Sequence, residues 1–161
     1  MTQGCDMIVG LTHLPAYEIP EGIEIKRAYV GDRQKILQFV REKFPDHVVW
    51  PDETDYALMQ EGCKCFIVVE NHKLLGFACY DACAKGFFGP VGIDPAQRGR
   101  DLGKALLIRT LEAMREDGYA YAIMGWVDEA VGFYQRSVGA RIIDGATPEN
   151  SVYSRYIELP D

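Results

Sequence analysis

The stretch Val91-Gly92-Ile93-Asp94-Pro95-Ala96-Gln97-Arg98-Gly99-Arg100-Asp101-Leu102-Gly103-Lys104 reads as a strand that breaks into a glycine-bearing turn and opens directly onto a helix. Leu107, Leu111 and Met114 fall at i, i+4 and i+7 with Leu106 beside them, while Arg109, Glu112, Arg115 and Glu116 take the other side. Gly118 supplies the stop. A helix entered this way turns unpaired N–H groups and the positive end of its dipole toward one point, which is how proteins hold a pyrophosphate. Two phosphate loops fail on spacing. A P-loop needs four residues between its glycines and Ser or Thr after the Lys, but three residues separate Gly99 from Gly103 and Ala105 follows Lys104. A dinucleotide fingerprint needs G-x-G-x-x-G, which is missing, and its acidic partner has no candidate. Simple connection chemistry between a strand and a helix stays open.

A second stretch lies about thirty residues on. Asp128-Glu129-Ala130-Val131-Gly132-Phe133-Tyr134-Gln135-Arg136-Ser137-Val138-Gly139 follows an apolar run from Tyr119 to Val127. By itself it reads as an amphipathic helix capped by Asp128 and stopped by Gly139, with Phe133 and Tyr134 as core aromatics. The two stretches together resemble the GNAT superfamily of N-acetyltransferases. Its acetyl-CoA loop reads Q/R-x-x-G-x-G/A, and Arg98 to Gly103 fits except that Asp101 stands where the first glycine belongs. Ala130, Phe133, Tyr134 and Gly139 match its later A-x-x-F-Y-x-x-x-G helix, whereas Val127 occupies the place of its frequent Asn.

The resemblance, which extends over nearly the whole chain, implies acetyl-CoA as acyl donor and direct attack by an amine on the thioester in a ternary complex. Backbone amides from Arg98, Gly99, Arg100, Asp101, Leu102, Gly103 and Lys104 would face the pyrophosphate, with Arg100 and Lys104 adding charge. Main-chain groups of Val91 and Ile93 would pair with the pantetheine arm, and Tyr134 would be the acid beside the departing thiolate. The position where several relatives carry a Glu falls in the untitratable Gly89-Pro90-Val91-Gly92 run, which leaves Asp81, Glu70 or solvent to deprotonate the amine. Trp50 with Asp52, Glu53 and Asp55 forms either an aromatic and acidic cup for a cationic amine or a core tryptophan beside helix-start acids. A sensor or interaction domain of the same fold, binding acyl-CoA without catalysis, is the alternative.

At 161 residues and 48% apolar content, one domain spanning residues 1–161 is expected to close its own core. Neither a leader-like segment nor an apolar run of membrane length is visible, so a cytoplasmic protein without a membrane partner is expected. Five cysteines without C-x-x-C pairs, and scattered His13, His47 and His72, point to reduced thiols and no metal site. A net charge of −7 weighs against nucleic acid and suits an amine-bearing acceptor. A homodimer is compatible with all of this.

The remaining pattern gives strands over Asp6–Leu14 and Ile23–Val30 and a helix over Arg33–Phe44 capped by Asp32. A shorter helix runs from Pro51 or Asp52 to Glu61, and a hairpin joins Cys63–Glu70 to Leu74–Ala84 through Asn71-His72. Phe87–Ile93 is the strand before the turn, and Arg141–Asp144 and Val152–Leu159 are terminal strands. Alternating elements with a hairpin in the middle imply an α/β fold: a mixed, mostly antiparallel sheet with helices on both faces. Cys63 and Cys65 are expected on one strand face.

Overall fold

The computed structural model describes residues 4–161. In chain order the elements are β1 (Cys5–Gly10), β2 (Ile23–Arg27), α1 (Arg33–Lys43), α2 (Trp50–Met59), β3 (Cys65–Glu70) and β4 (Lys73–Tyr80). There follow β5 (Phe87–Ile93), α3 (Leu102–Glu116), β6 (Tyr121–Val127), α4 (Val131–Val138) and β7 (Arg141–Ile142). The strands form one seven-stranded sheet in the order β2-β3-β4-β5-β6-β1-β7, with every neighbour antiparallel except the parallel pair β5 and β6. This is the mixed, mostly antiparallel architecture expected.

Both faces of the sheet are covered, and the sequence of β3 shows why. Cys-Phe-Ile-Val-Val is an unbroken apolar run because Phe66 and Val68 enter one core while Cys65 and Ile67 enter the other. On the first face Leu106, Leu107, Leu111 and Met114 of α3 pack with Phe66, Ala78 and Tyr80. Each fully buried leucine there contributes roughly 1.5–3 kcal/mol relative to exposure. On the second face Ile36, Leu37 and Val40 of α1 and Ala57 and Leu58 of α2 pack with Cys65, Ile67 and Phe77. The β3–β4 turn is tight because Asn71 and His72 both take left-handed backbone, at φ 50° and 62°, the geometry of a two-residue hairpin.

Several boundaries differ from the pattern in the sequence. Asp32 and Asp128 do not cap α1 and α4 through their side chains, and α4 begins after Ala130. Cys63 sits outside β3 in left-handed backbone at φ 56°, so it shares no strand face with the buried Cys65. The N-terminal strand ends at Gly10, short of Leu14, and lies between β6 and β7. Val152–Leu159 is not a strand. Ser151 instead donates to Asp6 and accepts from the Tyr153 N–H, which winds Val152–Arg155 into a 3-10 turn. Beyond it Ile157 and Leu159 are exposed and pair with none of the described strands.

Candidate functional site

The parallel pair β5 and β6 touches through only Phe87↔Ile123 and Phe88↔Met124, after which the two strands part. Pro90, which has no N–H to offer a ladder, stands just past the parting point. On its other side β5 stays bonded to β4: the Asp94 N–H donates to the Leu75 carbonyl at 2.8 Å, and Gly92 lies opposite Phe77. Antiparallel pairing alternates its bonding sides, so Val91 and Ile93 turn their main-chain N–H and C=O groups toward the opened edge. That edge borders a cleft of about 570 Å³.

The turn after β5 forms the floor at one end of this cleft. Asp94 accepts from the Ala96 N–H at 3.0 Å and faces Lys43 at 3.3 Å, which anchors the start of the turn and holds its carboxyl below the ordinary range. Gly99 has φ 85° and Asp101 φ 58°, two left-handed residues that swing the chain into α3. Asp tolerates that region better than most side chains. Its carboxylate makes no capping bond, so the first N–H groups of α3 keep their dipole and hydrogen-bonding capacity for an anion in the cleft. Arg98, Gly99, Asp101, Leu102, Gly103 and Lys104 all line it. Arg100 does not: its guanidinium forks onto Glu70 at 2.8 and 3.2 Å and bonds Gln97 at 2.7 Å, so its charge is already neutralised.

The far wall comes from α4. Tyr134 is buried, packs edge-to-face on Phe88 at 6.2 Å and Phe133 at 5.3 Å, and still reaches the cleft. Burial alone pushes its phenol above the ordinary range, with no neighbouring charge or hydrogen bond contributing. Arg136, two residues further on, also lines the cleft, and the sequence reading missed it; the signal available was its position on the same short helix, close to i+3 from Phe133. Among the described residues Arg98, Lys104 and Arg136 give the cleft three cations against one acidic residue, Asp101.

The third wall is aromatic. Phe44 closes on Gly92 so tightly that a β-carbon there would lie 2.5 Å from the ring, so any larger residue at this point of β5 would push the Phe44 ring aside. His47 stacks on Trp50 at 3.7 Å, and burial lowers its pKa, which favours the neutral ring. Trp50 also packs against Phe44 and Phe77, so it serves both the core and the cleft. The acids beside it separate. Asp55 is held by Arg33, Asp52 is exposed, and Glu53 turns inward toward Tyr153.

Neither proton-acceptor candidate named from the sequence borders this cleft. Glu70 is paired with Arg100, which holds its carboxyl below the ordinary range. Asp81 lies in a separate depression, where it accepts from Tyr119 at 2.9 Å and the Gly86 N–H at 2.8 Å and faces Lys64 at 3.5 Å. Among the described residues no group of three or more His, Cys, Asp or Glu is arranged to hold a metal ion, and no helix is long and apolar enough to cross a membrane.

An opened strand edge, an uncapped helix mouth and three cations form a site for a long ligand with an anionic end. Comparison with known proteins points the same way. Residues 33–140 match the sequence model of the acetyltransferase (GNAT) family. Mycothiol acetyltransferase of Thermobispora bispora is 31% identical over 138 residues, covering 74% of this chain and 45% of that protein, so the chain spans under half the length of that curated relative. Among solved structures, a GCN5-related N-acetyltransferase from Sphaerobacter thermophilus superposes with a TM-score of 0.62 at 22% identity, covering 88% of this chain and 50% of that one. A GNAT family acetyltransferase from Brucella melitensis, solved in complex with acetyl-CoA, gives a TM-score of 0.57 at 22% identity over 71% of this chain and 80% of that one.

Proposed function

This chain belongs to the acetyltransferase (GNAT) family, and from that premise we propose that it carries the acetyl group of acetyl-CoA to an amine by direct attack within a ternary complex. The observation that supports this best is the opened edge of β5 ending at the uncapped N-terminus of α3. A pantetheine arm has amide groups that can bond to Val91 and Ile93 as a neighbouring strand would. The pyrophosphate then meets the N–H groups of Leu102, Gly103 and Lys104 and the charges of Arg98, Lys104 and Arg136. A main-chain N–H on the same edge polarises the thioester carbonyl, and Tyr134 hydrogen-bonds the sulfur as the C–S bond breaks.

The acceptor is an amine on a small molecule or peptide. That relative is named for mycothiol, but 31% identity over part of each chain supports the reaction class more than the acceptor. The whole chain as one catalytic domain is part of this proposal. The experiment is direct. Acetyl-CoA at about 100 times its dissociation constant should stabilise the fold by about 2.7 kcal/mol, read as a rise in melting temperature. Thiol release should follow when amines are added. A well-folded sample that shows no shift with acetyl-CoA, CoA or longer acyl-CoAs would refute the reading, and a shift without thiol release across a broad amine panel would favour an acyl-CoA-sensing domain.

Asp101 supplies a further test. Asp101 lines the cleft next to the expected phosphates, and repulsion between unit charges about 4 Å apart costs about 1 kcal/mol in water. Because it caps nothing and holds a left-handed backbone, Asp101→Gly removes the charge and relieves strain at once. The variant is expected to bind acetyl-CoA more tightly, by about fivefold for that 1 kcal/mol, with the gain shrinking as salt is added. Asp101→Asn should reproduce the gain, since it keeps size and drops charge. Calorimetry showing no gain in either variant at low salt would mean the carboxylate faces away from the phosphates.

A further inference from the structure

Glu53 lies one turn after Trp50 on α2, so the two side chains share a helix face; Trp50 borders the cleft, and Glu53 stands next to it without lining the cleft itself. Its carboxylate accepts from the Tyr153 hydroxyl at 3.4 Å. The Tyr153 ring in turn sits over Gly125, where a β-carbon would lie 2.6 Å from it, and the Phe87 ring lies over the same glycine. Gly125 immediately follows Met124, the last residue of β6 that pairs with β5. The carboxylate therefore stands one tyrosine's length from the point where the strands part, on the face opposite Phe88 and α3.

Tyr153 is fixed there from below. Asp6 accepts from the Trp126 N–H at 3.0 Å and from the Ser151 hydroxyl at 2.9 Å, and Ser151 accepts from the Tyr153 N–H. The titratable groups that act on Glu53 are Asp52 on its own helix, Tyr153 from the C-terminal turn and Cys83 from the β4–β5 connection. None is a cation. Burial first, and the Asp52 charge behind it, push the Glu53 carboxyl up to about 7, against the downward pull of the Tyr153 bond. Burial pushes the Cys83 thiol up to about 11, so it stays protonated beside the carboxylate. A half-buried carboxylate with no cation beside it among the described residues is costly unless a ligand supplies one.

We infer that Glu53 is the group that takes the proton from the acceptor's ammonium, an inference that rests on the acetyl-transfer reading of the cleft. The ammonium docks beside the carboxylate, one N–H bond breaks, and the proton passes to Glu53. The neutral nitrogen attacks the thioester carbon, a C–N bond forms and the C–S bond breaks. The second nitrogen proton ends on the CoA thiol, and Glu53 returns its own to solvent. The net change is ammonium plus acetyl-CoA to amide, CoA thiol and one proton. Tyr153 is a positioning residue that tunes Glu53.

The test has two arms. In the first, ¹³C-carboxyl NMR compares native protein with Glu53→Gln. The signal missing from the variant should titrate near 7, and methylammonium chloride added to acetyl-CoA-saturated protein should shift that titration down relative to equal sodium chloride. Titration in the ordinary glutamate range, or no response to methylammonium, overturns the assignment. In the second arm, thiol release with any amine that turns over should show an acid limb near 7 in kcat/KM, because protonated Glu53 cannot accept a proton. Glu53→Gln should lose that limb and about 10²-fold in kcat/KM, while its melting shift with acetyl-CoA stays native. Tyr153→Phe should move the limb upward, since it deletes the bond that lowers the Glu53 pKa. A native limb in Glu53→Gln overturns the inference alone, whereas absence of any acetyl-CoA shift in native protein removes the reading on which it rests.

Discussion

Gly103→Glu is expected to abolish stabilisation by acetyl-CoA while leaving the free protein folded. Gly103 is the second residue of α3, and a β-carbon there would meet Phe133 at 3.6 Å and Ile93 at 3.8 Å, which is ordinary contact rather than a clash. A glutamate in the first turn of a helix also favours the dipole by about 0.3–1 kcal/mol, so the variant should melt at or slightly above the native temperature without ligand. Binding is where the loss falls. The new side chain projects into the helix mouth and places a negative charge where the pyrophosphate would lie, so the shift of about 2.7 kcal/mol at about 100 times the native dissociation constant should disappear. Gly103→Ala separates bulk from charge and should keep most of the shift. A full native shift in Gly103→Glu would place the ligand away from α3.

That test depends on a turn that was legible in the sequence. The strand Phe87–Ile93 has the bounds read from its pattern, and Gly99, Asp101 and Gly103 all line the cleft. Short-range rules sufficed there because a strand, a left-handed turn and a helix start are each set by neighbouring residues. The hairpin at Asn71-His72 was legible for the same reason. The rest of the site was not local. Arg100 carries the right charge in the right place, but Glu70, thirty residues earlier on β3, claims it. Val152–Leu159 has the apolar pattern of a strand, but a buried Asp6 at the other end of the chain holds Ser151 and bends the segment into a turn. Glu53 reads either as part of an acidic cup or as a helix-start acid until Tyr153, a hundred residues away, is seen bonded to it. Pairings of that range leave no period or spacing to read. Glu70 and Asp81 looked suitable as proton acceptors because nothing in the spacing shows that each is already committed to a cation, Glu70 to Arg100 thirty residues on and Asp81 to Lys64 just before β3.

Tyr134→Phe is expected to lower turnover by about 10- to 100-fold while leaving acetyl-CoA affinity and stability close to native. The ring packs between Phe88 and Phe133, and phenylalanine keeps both contacts. What is lost is a hydroxyl whose pKa is raised by burial alone, with no protein partner bonded to it. A phenol that weak does not hand its proton fully to a thiolate whose conjugate thiol has a pKa of about 8.5; the transfer would be uphill. Its contribution is a hydrogen bond to the negative charge growing on sulfur, which makes the thiolate a better leaving group. Bonds to charged groups are worth about 1.5–3 kcal/mol, which sets the expected loss in rate. Because the phenol stays protonated throughout the working range, the loss should be the same factor at every pH. That separates it from Glu53, whose replacement should erase an acid limb. A kcat that is native in Tyr134→Phe across the pH range, in an enzyme where the chemical step limits the rate, would make Tyr134 a core aromatic and leave the thiolate to depart unaided.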